Sequence, residues 1–211
     1  MPTERTKLRR NYERGSFDRE ALNEILDASP LCHVGYILDG RPAVLPTLHW
    51  REGEHIYWHG SNASRALKNS VNADVCLTVT HLDGLVLARS AFHHSANFRS
   101  VIIYGKATKI IDPDIKAKKF ENMVEKFAPG RWPALRPMTA KEVKATMILS
   151  MPIEEASAKV RTGGPIDDEE DYGLPIWAGV VPINSVMGEP QPDPRNMAGL
   201  ETPEHVLKLL P

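Results

Sequence analysis

The sequence has few cysteines, almost no net charge and no long apolar run. Its 211 residues include two cysteines, Cys32 and Cys76, and their apolar neighbours predict reduced, buried thiols rather than a disulfide or metal pair. A formal net charge of −1 gives no general attraction to nucleic acid or to an anionic membrane. No apolar run approaches the roughly 18 residues of a membrane span, and none follows the charged N-terminus. We therefore expect a cytoplasmic protein without a signal peptide.

Several catalytic motifs are also missing. The chain has no G-x-S-x-G, no Walker A sequence and no G-x-G-x-x-G, so an α/β-hydrolase, a P-loop enzyme and a Rossmann dinucleotide site have no support. His93 and His94 are adjacent, but no H-x-x-x-H or C-x-x-C accompanies them, and we expect no metal site. The hydrophobic content of 42% is that of a globular domain.

Short strands dominate the patterns that are present. Asp39-Gly40 separates strand-like residues 31–38 and 42–50 and predicts a β-hairpin, which a third strand at 55–59 extends into a meander. Asp83-Gly84 predicts another turn. Further strands are expected at 74–81, 85–92, 99–111, 147–153, 156–161 (as a continuation or a neighbour) and 175–183. Helices are expected at about 18–27, where Asp18 or Ser16 can act as N-cap, and at 203–210. A further helix begins at Asp112-Pro113 with Asp112 as cap, ends at Pro129-Gly130 and carries Ile115 and Phe120 on an apolar core stripe, and the capping box Thr139-x-x-Glu142 predicts a short helix. This pattern predicts a mainly β, α+β protein built on an antiparallel barrel with added helices.

Residues 93–100, H-H-S-A-N-F-R-S, form a polar centre between two apolar strands. We expect a loop or a bulged strand end there. Arg99 and Ser100 would be held by rigid backbone where the second strand begins, which suits recognition of an anion or a polar ring edge. The alternative is a polar hairpin without a function.

A second polar stretch covers residues 59–70. Ser61 or Asn62 can cap a short helix on which Ser64, Arg65 and Lys68 fall within about one turn. Hydroxyls, free N–H groups and two cations at a helix start are typical of a phosphate site. The alternative is an exposed capped helix with a solvated basic face. Neighbouring strands add polar side chains that could meet a planar ring: Thr47, His59, Asn97 and Arg99.

Four stretches together carry a family resemblance. They are G-R-P-A-V-L-P-T-L-H-W at 40–50, I-Y-W-H-G-S-N-A-S-R-A-L-K at 56–68, F-H-H-S-A-N-F-R-S-V-I-I-Y-G at 92–105, and A-K-V-R-T-G-G-P with W-A-G-V-V-P at 158–165 and 177–182. In them the chain resembles the FMN-binding split-barrel superfamily of pyridoxamine 5′-phosphate oxidase. Within it, the chain is most similar to flavin-nucleotide-binding proteins related to Nim-type nitroimidazole reductases.

The resemblance implies a six-stranded Greek-key split barrel that acts as a homodimer with FMN at the subunit interface. It divides the chain into an N-terminal arm at 1–16, the barrel at 17–185 and a Pro-rich tail at 186–211. The cofactor-binding residues that it implies, carried over by position, are Val44, Leu45, Pro46, Thr47, His59, Ser61, Ser64, Arg65, Lys68, Asn97, Arg99, Ser100 and Trp177. Lys159 and Arg161 are weaker candidates, which either bind a substrate anion or pair with the acidic loop at 167–171.

The function that the resemblance implies is an FMN-dependent oxidoreductase. It would move electrons from a nicotinamide cofactor to a small acceptor such as a nitroaromatic compound or a quinone. The arginine-rich substrate site of true pyridoxamine phosphate oxidases is missing, and no side chain is identified as catalytic. Two alternatives stay open: a non-catalytic flavin-binding protein, and a haem-binding split barrel with His93 or His94 as axial ligand.

Overall fold

The computed structural model describes residues 3–8 and 12–210. Its strands are β1 (Gly15–Ser16), β2 (Leu31–Leu38), β3 (Arg41–Glu52), β4 (His55–Ser61), β5 (Asp74–Leu87), β6 (Ser95–Lys106), β7 (Thr108–Lys109), β8 (Thr146–Pro152), β9 (Glu155–Arg161) and β10 (Gly179–Pro182). Its α-helices are α1 (Arg19–Asp27), α2 (Arg65–Ser70), α3 (Pro113–Phe127), α4 (Ala140–Ala145) and α5 (Glu204–Leu207). Short 3-10 turns cover Tyr12–Arg14, Ala91–His93, Trp132–Ala134 and Glu169–Gly173.

The hairpin of β2 and β3 forms as predicted. Asp39 and Gly40 take φ angles of 50° and 74°, as a type I′ turn requires, and the strands pair from Leu31 opposite Leu48 to Leu38 opposite Arg41. Because β4 then pairs with the far part of β3, the predicted three-stranded meander is confirmed.

The prediction of a turn at Asp83-Gly84 is wrong. Residues 74–87 form one strand, β5, which pairs with β6 on both sides of a bulge between Leu82 and Gly84. Asp83 is the extra residue of this bulge. The polar centre is corrected in the same way, because β6 starts at Ser95 and makes Asn97, Arg99 and Ser100 strand residues.

The strands form one mostly antiparallel sheet in the order β1-β9-β6-β5-β2-β3-β4-β8-β7, with β10 on the edge of β5. The predicted fold class is confirmed, although the described strands number ten rather than six, since short edge strands add to the barrel. Although β8 and β9 are consecutive in the chain, they are not neighbours in the sheet: β9 pairs with β6 and β1. One face packs the core, whose fully buried members include Trp58, Leu77, Val101, Ile103 and Leu149.

Helix capping follows the sequence closely. The Asp18 carboxylate accepts the Ala21 N–H and starts α1, which buries Leu22, Ile25 and Leu26. Thr139 and Glu142 form the predicted capping box of α4. On α3, Phe120 is buried, but Ile115, predicted on the same core stripe, is 51% exposed.

Contacts divide the chain into two compact units. The first comprises residues 1–109 and 147–184 and holds the sheet. The second comprises residues 110–146 and 185–211 and holds α3, α4 and α5. No helix in the described part of the chain has the length and apolar character needed to cross a membrane.

Candidate functional site

The basic stretch after β4 forms a compact turn at the start of α2. Ser64 is the N-cap rather than Ser61 or Asn62, and its Oγ accepts the Leu67 N–H at 3.4 Å. The Ser61 Oγ accepts the Ala63 N–H at 3.1 Å. Both hydroxyls therefore shape the turn, and each oxygen stays within reach of solvent at the exposed edge of the unit.

The two cations of this turn are exposed. Arg65 donates to the Asp39 carboxylate at 3.0 Å, and both side chains are more than 70% exposed. The Lys68 ammonium group has no ion pair or hydrogen bond with any residue that the structure describes. We call Ser61, Ser64, Arg65 and Lys68 the basic turn. It lies beside the tip of the β2–β3 hairpin and presents a cation that no described carboxylate neutralises.

The part of β3 predicted to meet a ring has two distinct faces. Val44 and Pro46 are exposed on one face. Leu45 packs against the core on the other face, and Thr47 shares that face because it lies two residues further along the strand. This part of β3 pairs with β2 on one edge, but β4 covers the other edge only from His49 onward. Among the described strands, none covers that edge over residues 41–48, so backbone polar groups there are available to a ligand.

The polar residues of β6 are occupied by protein partners. Arg99 makes a bidentate ion pair with Asp83 at 2.8 and 2.9 Å, and the bond from Arg99 lowers the pKa of Asp83. Asn97 accepts from the Arg161 guanidinium and donates to the Gly163 carbonyl at 3.1 Å. Ser100 donates to the Lys159 carbonyl at 3.2 Å.

Arg161 is buried, and among the described residues its guanidinium bonds only to neutral groups, the Asn97 amide and the carbonyls of Gly163 and Gly164. Burial, with Arg14 nearby, lowers its pKa. It therefore holds the loop after β9 and does not pair with the acidic loop at 167–171. Lys159 has no described ion pair with that loop either.

Residues 162–178, which we call the strap, run along the ends of β5 and β6. The buried Asp167 carboxylate accepts the Arg89 N–H and a guanidinium N–H, both at 2.9 Å, and Arg89 lies over the Tyr172 ring. Burial alone would raise the pKa of Asp167, but the two bonds from Arg89 outweigh it and lower the pKa. Trp177, at the far end of the strap, packs over Gly179 and is 67% exposed.

These residues lie at two separate ends of the sheet. The basic turn contacts Asp39, at the end of β5 where Asp74 begins the strand, because β2 runs antiparallel to β5. Asn97 pairs with Gly84, near the other end of β5. About ten residues of strand, at about 3.3 Å each, separate the two ends by roughly 30 Å. One chain therefore does not bring all of the predicted residues together.

The two adjacent histidines differ in which ring nitrogen is engaged. The His94 Nδ1 lies 2.8 Å from the Ser90 carbonyl, which only accepts, so Nδ1 carries a proton and Nε2 is the ring nitrogen outside this bond. The His93 Nε2 instead contacts the Asp168 carboxylate at 3.3 Å. His94 is exposed, and Phe92, whose ring packs edge-on against that of His93, is 87% exposed. Of the pair, His94 presents the nitrogen suited to a metal centre.

The resemblance implies that His59 helps to bind the flavin. In the structure, the centroid of its ring lies 6.1 Å from that of the buried Trp50 ring. Burial lowers the pKa of His59. The pKa of His59 in the folded protein is therefore below its value of about 6.5 in the unfolded chain. The neutral ring stabilises the fold above a pH of about 6.5, and this stabilisation is lost as the pH falls through the folded pKa.

We therefore expect His59→Gln to reduce the acid sensitivity of folding. Between pH 7.5 and 5.5, the fall in thermal midpoint should be smaller in the variant by about 2 °C. His55→Gln, which removes an exposed histidine of the same strand, is the matched control and should leave that fall unchanged. Equal effects of both variants would contradict the assignment.

Sequence reasoning missed Asp83, Arg89 and Asp167. Asp83 was interpreted as part of a turn, and only the pairing of β5 with β6 reveals it as a bulge residue facing Arg99. Arg89 and Asp167 are 78 residues apart, and no local pattern joins them. A buried acid among exposed ones is not distinguishable in the run P-I-D-D-E-E-D.

The sheet and the order of its strands are those of an antiparallel split barrel. The family described as pyridoxamine 5′-phosphate oxidase matches residues 18–160, and the chain belongs to this family. The expected resemblance is thereby confirmed. Among curated proteins, none is significantly similar to the sequence.

Two solved structures are similar over nearly their whole length. The flavocytochrome Anf3 from Azotobacter vinelandii is 50% identical, with 99% of this chain and 97% of that chain covered and a TM-score of 0.95. The FAD and heme binding protein from Mycobacterium smegmatis is 36% identical, with 93% and 97% covered and a TM-score of 0.89. A candidate 5-nitroimidazole antibiotic resistance protein from Bacteroides thetaiotaomicron shares the fold at 20% identity, 69% and 86% coverage and a TM-score of 0.57.

Proposed function

We propose that this protein is a flavin- and haem-binding electron-transfer protein. The observation that carries this proposal is the similarity, over 99% of the chain, to a flavocytochrome at 50% identity, joined by the likeness to an FAD- and haem-binding protein at 36%. The proposal therefore includes both cofactors, the flavin that the resemblance implied and the haem that stayed open as an alternative. The Nim-type protein supports the fold only, so nitroimidazole reduction is not part of the proposal.

The flavin would lie along β3 with its phosphate at the basic turn. Backbone groups of residues 43–47, on the uncovered edge of β3, would meet the polar edge of the ring. Lys68 offers an ammonium group that no described carboxylate neutralises. Arg65 would leave its ion pair with Asp39 and bind the phosphate instead. The residues present fit a flavin phosphate.

The similarity favours FAD over the FMN that the sequence predicted, since the 36% identical relative is named for FAD. Flavin released by heat denaturation decides between them. FAD fluorescence rises several-fold on phosphodiesterase treatment, whereas that of FMN does not change. Release of FMN alone would overturn the choice of FAD and leave flavin binding intact.

The haem would bind at the end of the sheet that carries His94. The Nδ1–H bond to the Ser90 carbonyl fixes the tautomer and directs the Nε2 lone pair away from the backbone, as in most histidine–metal sites. Phe92 and Trp177 are exposed in the same unit and offer apolar surface to a macrocycle. The donor set therefore fits a haem iron with one histidine ligand.

A homodimer would complete the flavin site. The basic turn and the Asn97–Ser100 segment lie roughly 30 Å apart in one chain. In a dimer, the strap and Trp177 of the second copy would lie near the basic turn of the first copy. The exposed apolar side chains on the outer face of β2 and β3, namely Leu31, Ile37, Val44 and Leu48, are a suitable contact surface. Light scattering should give twice the chain mass of 23.5 kDa. A flavin-loaded monomer would contradict this proposal.

When bound, a flavin would supply two-electron chemistry with a nicotinamide and one-electron chemistry with a haem. The chain contributes binding, orientation and charge near each group, and none of its side chains is required as a proton donor. In this proposal the final electron acceptor is a small molecule such as a quinone.

The absorption spectrum of the purified protein is the first test. Oxidised flavin absorbs near 375 and 450 nm and haem near 400 nm, and we expect both. Anaerobic NADH or NADPH should then bleach the flavin and sharpen the haem bands. A flavin that stays oxidised would favour the second candidate, a flavin-binding protein without turnover. A colourless protein that takes up neither cofactor would reject the proposal.

A further inference from the structure

The second unit contains a cavity of about 560 Å³ that neither the flavin nor the haem proposal uses. Arg131, just after α3, and His205, on α5, form one side of it. The rest of the lining combines six apolar residues with five polar ones: Ala134, Pro190, Pro192, Leu200, Pro203 and Val206, and Gln191, Asp193, Asn196, Glu201 and Thr202. Small-molecule sites typically have this size.

The turn that carries Arg131 is held rigidly. Both oxygens of the Glu125 carboxylate are engaged, one with the Gly130 N–H and one with the Trp132 N–H, each at 2.7 Å. Gly130 takes a φ of 81°, and a Cβ there would lie 3.4 Å from the Cβ of His205. Glycine therefore permits the positive φ of the turn, and the two bonds from Glu125 hold the backbone on either side of Arg131.

The Arg131 guanidinium lacks an anionic partner among the described residues. Its described side-chain contact is with the His205 Nε2, at 3.4 Å. Because an arginine only donates, the His205 Nε2 can only accept in this contact. Asp193 and Glu201 line the cavity as exposed side chains and form no ion pair with Arg131, and an Asp193 oxygen accepts the Arg195 N–H. A half-buried guanidinium without a carboxylate is costly, and a bound anion would offset that cost.

We propose that this cavity binds an organic monocarboxylate with an apolar body. The carboxylate accepts two parallel hydrogen bonds from the Arg131 guanidinium, which is the geometry that an arginine offers and a lysine does not. The apolar body lies against the prolines, Leu200 and Val206. The site uses none of the residues that we assign to the flavin or the haem.

Calorimetric titration of the full-length protein with octanoate and with octanamide tests the charge requirement. Octanamide has the same chain length and no charge. We expect octanoate to bind at least 10-fold more tightly than octanamide, and acetate, which lacks the apolar body, to bind at least 10-fold more weakly than octanoate. Equal affinities for octanoate and octanamide would overturn the proposal.

Three variants locate the site. Arg131→Gln should weaken octanoate binding at least 10-fold and leave octanamide unchanged. Arg136→Gln, the matched control, removes an exposed arginine of the same unit that pairs with Glu142 outside the cavity, and it should change neither affinity. Ala134→Trp keeps Arg131 but fills the cavity, and it should abolish binding of both probes.

Flavin and haem absorbance should be the same in all three variants as in the parent protein. Loss of haem or flavin from Arg131→Gln would show that the cavity belongs to a cofactor site, and it would overturn the proposal of a separate carboxylate site. Should Arg131→Gln fail to fold, undiminished octanoate binding by Ala134→Trp would still overturn it. Absence of both cofactors from the parent protein would refute the proposed function and leave this site unaffected.

Discussion

Replacing His94 with alanine is expected to remove haem from the protein while flavin stays bound. The Nε2 of His94 is the ligand that we assign to the iron, and its ring is oriented by the bond from Nδ1 to the Ser90 carbonyl. Without an imidazole the iron has no described nitrogen donor at that position. The haem band per chain should fall at least 10-fold, and the flavin bands should fall by less than a third. Absorbance of equal protein concentrations measures both.

His93→Ala is the matched control, because it removes a neighbouring imidazole. Its Nε2 faces the Asp168 carboxylate, so its loss should weaken the hold on the strap and leave most of the haem in place. If His93→Ala removes the haem and His94→Ala does not, the ligand assignment is reversed. If the double variant keeps its full haem content, the iron is held elsewhere in the chain.

The second large effect concerns the basic turn. The double variant Arg65→Ala, Lys68→Ala should bind flavin about 100-fold more weakly than the parent protein, a loss of about 3 kcal/mol. Each charge-assisted bond to a phosphate contributes about 1.5–3 kcal/mol. The lower end applies here, since both cations are exposed and Arg65 gives up its ion pair with Asp39. Fluorescence quenching during titration of the flavin-free protein measures the dissociation constant.

A control with the same change of charge is Lys118→Ala, Arg136→Ala. Both side chains are exposed cations of the second unit and pair with Glu121 and Glu142. This variant should bind flavin with the parent affinity. An unchanged dissociation constant in the Arg65, Lys68 variant would reject the phosphate assignment, whereas equal losses in both variants would indicate only a general electrostatic effect.

A third variant separates the role of Lys68 from that of Asp39. Asp39→Asn keeps the turn residue that tolerates a positive φ but removes the carboxylate that competes for Arg65. Flavin should then bind at least as tightly as in the parent protein. Weaker binding would indicate that the ion pair positions Arg65 rather than competing with the phosphate.

The sequence by itself determined the elements whose causes are local. The hairpin at Asp39-Gly40, the caps at Asp18 and Asp112 and the capping box at Thr139 and Glu142 depend on neighbours within a few residues, and all form as predicted. Alternating apolar residues determined the mainly β class, because one face of each strand must be buried. The family resemblance depends on the order of four stretches and could therefore also be recognised from the sequence.

Only the tertiary structure decided which of these elements meet. The Asp83-Gly84 pair has the composition of a turn, but both flanks find a continuous partner in β6, and long-range pairing therefore overrides the local preference. The ion pairs of Arg99 with Asp83 and of Arg89 with Asp167 join residues that no local pattern connects. The separation of the basic turn from Asn97 is likewise set by strand register, since antiparallel pairing places the tip of β2 and the start of β6 at opposite ends of β5.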